Sequence, residues 1–268
     1  MNKRQFLKSL LLLFPTGGLL GILAGWAGAK ETGKTDAIIG AAGRQDNNAE
    51  GNAKYDPRRH WYGMGIEIDK CIGCSRCVDA CKAENAVPRE PFFFRTWMER
   101  YDITKEGEPV VESINVKSKS SRQIRQEEGE VLRSFFVPKL CNQCANPPCV
   151  QVCPVGATFS TKDGVVLVDA NRCIGCRYCI QACPYGARYL HPATKTADKC
   201  TFCYHRVANG LLPACVEVCP TQARIFGDLN SKASRLVRFT RMNKIHVLKP
   251  SLNTEPKVYY AQLDGEVR

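Results

Sequence analysis

Thiols are the side chains best placed to do chemistry in this 268-residue chain: sixteen cysteines fall into four tight groups with none left over. The groups are Cys71, Cys74, Cys77, Cys81; Cys141, Cys144, Cys149, Cys153; Cys173, Cys176, Cys179, Cys183; and Cys200, Cys203, Cys215, Cys219. Three end in Cys-Pro, at Cys153-Pro154, Cys183-Pro184 and Cys219-Pro220. In the first and third, three cysteines within seven residues are followed by a fourth after three more. That spacing is the one that ligates 4Fe-4S clusters.

A cubane needs four thiolates converging on one compact object, and a short loop supplies three of them when every third side chain turns inward. The remote cysteine, beside a proline that helps end the loop, reaches across to the other cluster of a pair. Disulfides would suit an exported cysteine-rich chain, but the cysteines of such loops do not readily reach disulfide geometry with distant partners four times over. Zinc sites usually bring two cysteines per loop rather than three, and buried structural thiols would not be spaced so regularly. Sixteen thiolates therefore predict four 4Fe-4S clusters, with no quartet short of a cysteine and hence no three-iron centre. His60, His191, His205 and His246 are not needed as ligands and read as surface or hydrogen-bonded structural residues.

The elements around these thiols must also carry their charge. The chain has 38 Lys and Arg against 26 Asp and Glu, a formal net charge of +12, which by itself would raise nucleic acid or an anionic membrane as a partner. Each cubane with four thiolates carries roughly −2, so four subtract roughly 8 and leave about +4. Lys70, Arg76, Lys82, Lys139, Arg172, Arg177, Lys199 and Arg206 stand close to the quartets in sequence, and the basic excess reads as compensation for cluster charge. The aromatic-basic alternation of a nucleic-acid module is absent from the sequence, so no nucleic acid is expected as partner.

Residues 1–29 combine a basic start (Lys3, Arg4, Lys8), an apolar stretch from Leu10 to about Trp26 and a small-residue ending, Ala27-Gly28-Ala29. This is signal-peptide grammar with cleavage expected after Ala29; Gly17, Gly18, Gly21, Gly25 and Pro15 weaken the alternative, a retained membrane anchor. The run from Asn2 to Lys8 resembles the twin-arginine export motif, with Lys3 where the first arginine belongs. That route carries folded proteins, as a protein whose clusters are built in the cytoplasm requires. The expected location is the periplasm or the outer face of the cytoplasmic membrane.

The fold class expected is α+β. Gly65–Asp69 precedes the first quartet and Val165–Asp169 the third, each a β-rich run entering a cysteine loop; helices are expected over Arg76–Lys82 and Arg177–Ala182. Two such strand, loop and helix units make a ferredoxin-like module, whose small core the clusters supplement. Lys162-Asp163-Gly164 reads as a hairpin turn joining quartets two and three into one module, leaving quartets one and four for another, although spacing alone also allows three to pair with four. The expected order is signal peptide 1–29, flexible leader 30–59, outer ferredoxin-like module 60–90 plus 191–228, insertion 91–134, inner module 135–190 and carboxyl-terminal extension 229–268. Within the insertion, Phe92–Arg95 and Val131–Val137 are expected as strands flanking a polar surface stretch from Ser113 to Glu130.

Over residues 60–262 the chain resembles the four-cluster iron-sulfur subunits of membrane-associated molybdopterin oxidoreductases, of the dimethyl sulfoxide, polysulfide, tetrathionate, thiosulfate and arsenate reductase type. The resemblance is carried by Asn171–Cys179, Thr196–Cys203, Leu211–Cys215, Asp228 after Phe226-Gly227, Val247–Pro250 and Lys257–Tyr260. It implies four ligand sets: Cys71, Cys74, Cys77 with Cys219 (cluster 1); Cys200, Cys203, Cys215 with Cys81 (cluster 2); Cys141, Cys144, Cys149 with Cys183 (cluster 3); and Cys173, Cys176, Cys179 with Cys153 (cluster 4). Quartet one departs from the Cys-Pro ending, with Cys81-Lys82, and quartet four has an eleven-residue gap before Cys215.

Neither a nucleophile elbow nor a Gly-rich dinucleotide or phosphate loop is found in the sequence. The expected function is an exported, non-catalytic subunit relaying single electrons through four clusters. The resemblance implies a large molybdopterin-type catalytic partner and an integral membrane quinone-binding partner. Alternatives are the iron-sulfur subunit of a menaquinone or menaquinol oxidoreductase (a quinone reductase or a heterodisulfide-reductase-like complex), of a hydrogenase or of a formate dehydrogenase; more remotely, a zinc-binding interaction protein.

Overall fold

The computed structural model describes residues 55–90, 92–105, 109–113, 130–265 and 267. The export signal with its Ala29 site, the leader up to residue 54 and residues 114–129 of the polar stretch lie outside the described residues. Among the described residues no helix is long and apolar enough to cross a membrane.

Short strands lead into cysteine loops and short helices lead out of them. Strand β1 (Tyr62–Glu67) enters the first loop through a 3-10 turn, Ile68–Lys70, and helix α1 (Arg76–Glu84) leaves it. Strands β2 (Thr96–Thr104), β3 (Pro109–Ser113) and β4 (Val131–Leu140) follow, and then helix α2 (Pro148–Gln151) within quartet two. The hairpin β5 (Thr158–Ser160) and β6 (Val166–Val168) leads to helix α3 (Tyr178–Gln181) in quartet three. Strands β7 (Arg188–Leu190) and β8 (Ala197–Lys199) precede helices α4 (Tyr204–Val207) and α5 (Ala214–Glu217) of quartet four. The chain closes with β9 (Arg224–Asp228), α6 (Arg235–Met242), β10 (Ile245–His246) and β11 (Val258–Ala261).

Two halves result. In one, β1 pairs antiparallel with β9, from Tyr62 opposite Asp228 to Ile66 opposite Arg224, and α1 packs on α5, so elements of quartets one and four lie together. In the other, β5 and β6 form the hairpin expected around Lys162-Asp163-Gly164, and α2 packs on α3. The carboxyl-terminal segment is woven in: β11 lies parallel to β1 inside the sheet β10-β11-β1-β9. Ala145 and Asn146 donate backbone hydrogen bonds to Glu255 and Thr254, and Lys257 donates to Asn142, so this segment also straps the quartet-two loop.

β1 is buried along both faces because its residues alternate in size. Met64 and Ile66 fill one side, while Gly63 and Gly65 let α6 approach on the other; a Cβ on Gly65 would stand 2.7 Å from the Phe239 ring. The core continues through Val258, Tyr260, Phe202, Met98, Val137 and Leu140.

The described residues of the insertion contribute to the antiparallel sheet β3-β2-β4, whose Met98, Tyr101, Val137 and Leu140 join that core. Phe92–Arg95 is not a strand; β2 begins one residue later, at Thr96. Arg95 explains this, because its guanidinium turns inward to Asp198 (2.8 Å) and Asn85 Oδ1 (2.9 Å). Phe92 is left exposed, and the Phe94 ring packs under the Lys82 ammonium.

Candidate iron-sulfur centres

The first and third loops turn alike. Gly73 (φ +68°) and Ser75 (φ 60°) in one, Gly175 (φ +70°) and Arg177 (φ 68°) in the other, take the left-handed conformation that rotates successive cysteines to one side. Glycine is required at both: a Cβ would stand 2.6 Å from the Phe136 ring at Gly73 and 2.5 Å from the Lys195 carbonyl at Gly175. In each loop the middle cysteine, Cys74 or Cys176, is exposed and the third, Cys77 or Cys179, is buried.

Two of the remote cysteines, Cys153 and Cys219, lie in turns that aim backbone N–H groups at sulfur. Burial pushes the Cys153 thiol up, but the N–H groups of Thr158, Val155 and Ala157 outweigh it and the net shift is downward. At Cys219 burial again raises, and the N–H groups of Arg224, Ala223 and Thr221 with the Thr221 hydroxyl turn the balance downward. Hydrogen bonding to the thiolate is the form a metal-bound sulfur needs.

All sixteen thiols are free, and the structure brings many of them together. Burial raises Cys71, and the nearby Cys77 and Cys219 push the same way. Cys81 is raised by burial and then by Cys200, Cys215 and Cys203, and the Asn85 amide reaches Cys81 and Cys203 at 3.6 and 3.5 Å. Cys141, Cys144, Cys149 and Cys183 line one cavity; burial, with Cys141, lifts Cys144 to about 12. Cys173 and Cys179 share a small apolar cluster with Val166 and Ala197. These contacts do not extend to Cys153 or Cys176.

The thiol groups also adjoin one another. Cys77 lies close enough to Cys215, and Cys141 to Cys200, for each to raise its neighbour. Gln143 connects the halves, its amide donating to the Cys200 carbonyl (2.7 Å) and its Oε1 accepting from Val166 N (2.7 Å).

The donor set fits iron-sulfur clusters. Buried thiols held this close resist ionising unless a cationic core compensates them. Among the described residues, the buried side-chain atoms without hydrogen-bond partners are Asn142 Nδ2 and Oδ1, Thr201 Oγ1 and Arg224 Nη1; Asn142 and Thr201 directly follow Cys141 and Cys200 in sequence and Arg224 lies near Cys77 and Cys215, where cluster sulfur would serve the N–H donors.

The cations that reach the thiols differ from those close by in sequence. Lys70 pairs with Glu67, Arg172 with Asp169, Lys139 with Glu99, and Arg206 with Glu84 and Glu217; Arg76 and Arg177 are exposed. Of the eight expected compensating residues, Lys199 is buried against thiols, its ammonium on the Val166 and Cys200 carbonyls and near Cys149, and half-buried Lys82, on the Pro88 and Glu90 carbonyls, lies near Cys81. Arg95 lies near Cys81, Arg188 on Cys149, Arg224 beside Cys77 and Cys215, and Lys257 near Cys141 and Cys144. Two of these carried a sequence signal: Arg188 and Arg224 each stand five residues after a cysteine in the repeated Cys-Pro-x-x-Ala, at Cys183 and Cys219.

The histidines are otherwise engaged: His60 with Asp228 (2.8 Å), His205 with Glu84 (2.7 Å), and His191 Nδ1 with the N–H groups of Ala193 and Thr194, while His246 lies in β10.

The 4Fe-4S dicluster domain matches residues 70–157 and, a second time, residues 132–229. The B subunit of tetrathionate reductase from Salmonella typhimurium is 45% identical over 208 residues, covering 77% of this chain and 74% of that protein. The protein of the same name from Archaeoglobus fulgidus is 45% identical over 204 residues, 76% and 83% of the two proteins. This protein belongs to the 4Fe-4S dicluster family of reductase iron-sulfur subunits. The B polypeptide of polysulfide reductase from Wolinella succinogenes extends the family, at 38% identity over 199 residues, 74% of this chain and 92% of its own length. Membership makes this protein a four-cluster, electron-relaying iron-sulfur subunit of a respiratory oxidoreductase and not the catalytic subunit.

Proposed function

We propose that the subunit relays single electrons between an integral membrane, quinone-interacting protein and a large molybdopterin-type catalytic protein, on the outer face of the cytoplasmic membrane, after export in folded form and cleavage after Ala29. The ligand sets are Cys71, Cys74, Cys77, Cys219; Cys81, Cys200, Cys203, Cys215; Cys141, Cys144, Cys149, Cys183; and Cys153, Cys173, Cys176, Cys179. They form two nested pairs, the inner module lying within the outer one. When bound, the clusters supply one-electron carriers with tunable potentials. The chain fixes their order through the neighbours Cys77 and Cys215, then Cys141 and Cys200, and it excludes water from the middle of the row.

One observation carries this reading. Cys81, Cys200, Cys203 and Cys215 are all buried, as are Cys141, Cys144 and Cys149, whereas the first and fourth sets each contain an exposed cysteine, Cys74 or Cys176. A relay needs a protected middle and two approachable ends. The names of the relatives, tetrathionate and polysulfide reductase, support a terminal acceptor among oxidised sulfur compounds. The test is visible absorbance of the subunit in the complex purified from membranes. Quinol should bleach it and the sulfur acceptor should restore it. Specific turnover by the isolated subunit would contradict the relay reading.

A further inference from the structure

Two buried arginines occupy matching places in the two halves. Arg188 and Arg224 both follow Cys-Pro-x-x-Ala, both open a short strand, and both are almost fully enclosed, at 6% and 3% exposure. Each guanidinium is tethered to a threonine: Arg188 Nη1 donates to Thr158 Oγ1 (3.3 Å), and Arg224 Nη2 donates to Thr96 Oγ1 (2.8 Å). Each turns the rest of its charge toward cysteines. Arg188 Nη2 reaches Cys149 Sγ at 3.0 Å, with Cys141 and Cys179 also in its field. Arg224 lies among Cys77, Cys215 and Cys71, and its Nη1 is buried with no hydrogen-bond partner. With the ligand sets proposed above, on which this inference rests, Arg188 stands between clusters 3 and 4 and Arg224 between clusters 1 and 2.

We infer that Arg188 and Arg224 are bridging cations, each positioned to raise the reduction potentials of both clusters in its own module together. Adding an electron makes a cluster more negative, so a fixed positive charge beside it favours the reduced state, and the enclosed setting leaves that charge weakly screened. A guanidinium placed between two clusters lifts both and leaves the step between them nearly unchanged. A cation beside one cluster alone would change that step. Arginine suits the role because it stays protonated and offers several donors in a fixed plane, one for threonine and others for sulfur.

The experiment is a potentiometric titration followed by electron paramagnetic resonance on the cluster-loaded full chain, with iron content measured alongside. Arg224→Gln should lower both outer clusters, cutting the ratio of reduced to oxidised at the parent's midpoint at least tenfold, about 59 mV for a one-electron couple. The inner pair should stay within threefold. Arg188→Gln should do the converse. Arg224→Lys, which keeps the charge, should hold both outer clusters within threefold of the parent, and it carries the test if Arg224→Gln loses iron. A shift in only one outer cluster, equal shifts in all four, or a Lys variant as displaced as the Gln variant would overturn the bridging role. Cys77→Ser and Cys215→Ser are run in parallel. If they perturb two different signals while Arg224→Gln moves neither, only the bridging role fails; if they perturb the same signal, the ligand grouping fails and the bridging role with it.

Discussion

The half around quartets two and three, inner in the proposed nesting, and the half around quartets one and four, outer in it, share one loop grammar but are held together differently. The outer half rests on a four-stranded sheet, a nine-residue and an eight-residue helix, and a core in which Met64, Ile66, Val258 and Tyr260 are fully enclosed. The inner half has three-residue strands and four-residue helices; its Val165, Leu167 and Ala187 reach into the main core, and its Cys149, Val166 and Cys179 form a satellite cluster with Ala197. Such short elements have few packed residues of their own beyond these, so ligation supplies a larger share of the inner half's folding energy.

Iron removal separates the two cases most sharply. In cluster-free protein, amide exchange in β5, β6 and α3 should accelerate at least a hundredfold, equivalent to about 2.7 kcal/mol, while β1, β9 and β11 keep their protection. Equal loss in both halves would remove the distinction. Next in size is Ile66→Ala, which should destabilise the cluster-free protein by about 2–5 kcal/mol in chemical unfolding. Val166→Ala in β6, which packs in the satellite cluster with Cys149 and Cys179, should change it by less than about 1 kcal/mol, because that cluster is already open without iron.

The joint between the halves comes third. Gln143→Ala removes two buried hydrogen bonds and should cost about 1–3 kcal/mol, splitting one unfolding transition of the loaded protein into two in calorimetry. The smallest effect belongs to Asn85→Ala, whose amide touches Cys81 and Cys203: it should lower the potential of one outer cluster by less than Arg224→Gln does and leave the inner clusters unmoved in the same titration.

The cysteine loops, the β6 strand and the hairpin turn were legible in sequence because ligand spacing and turn chemistry are local. What escaped was long-range. β11 pairs with β1 across nearly two hundred residues, and no local pattern marks that register. Half of the eight cations next to the quartets in sequence turned to carboxylates, whereas Arg95, Arg188, Arg224 and Lys257 reached the thiols through folding. The Phe92–Arg95 run has the composition of a strand, but one buried ion pair at Arg95 overrides it.

The exchange of remote cysteines between quartets is the central claim, and electron paramagnetic resonance of single Cys→Ser variants of the loaded protein tests it most directly. Cys219→Ser should perturb the same signal as Cys71→Ser, and Cys153→Ser the same signal as Cys173→Ser. If Cys219→Ser instead perturbs the signal altered by Cys215→Ser, each quartet holds its own cluster and the nested account is wrong.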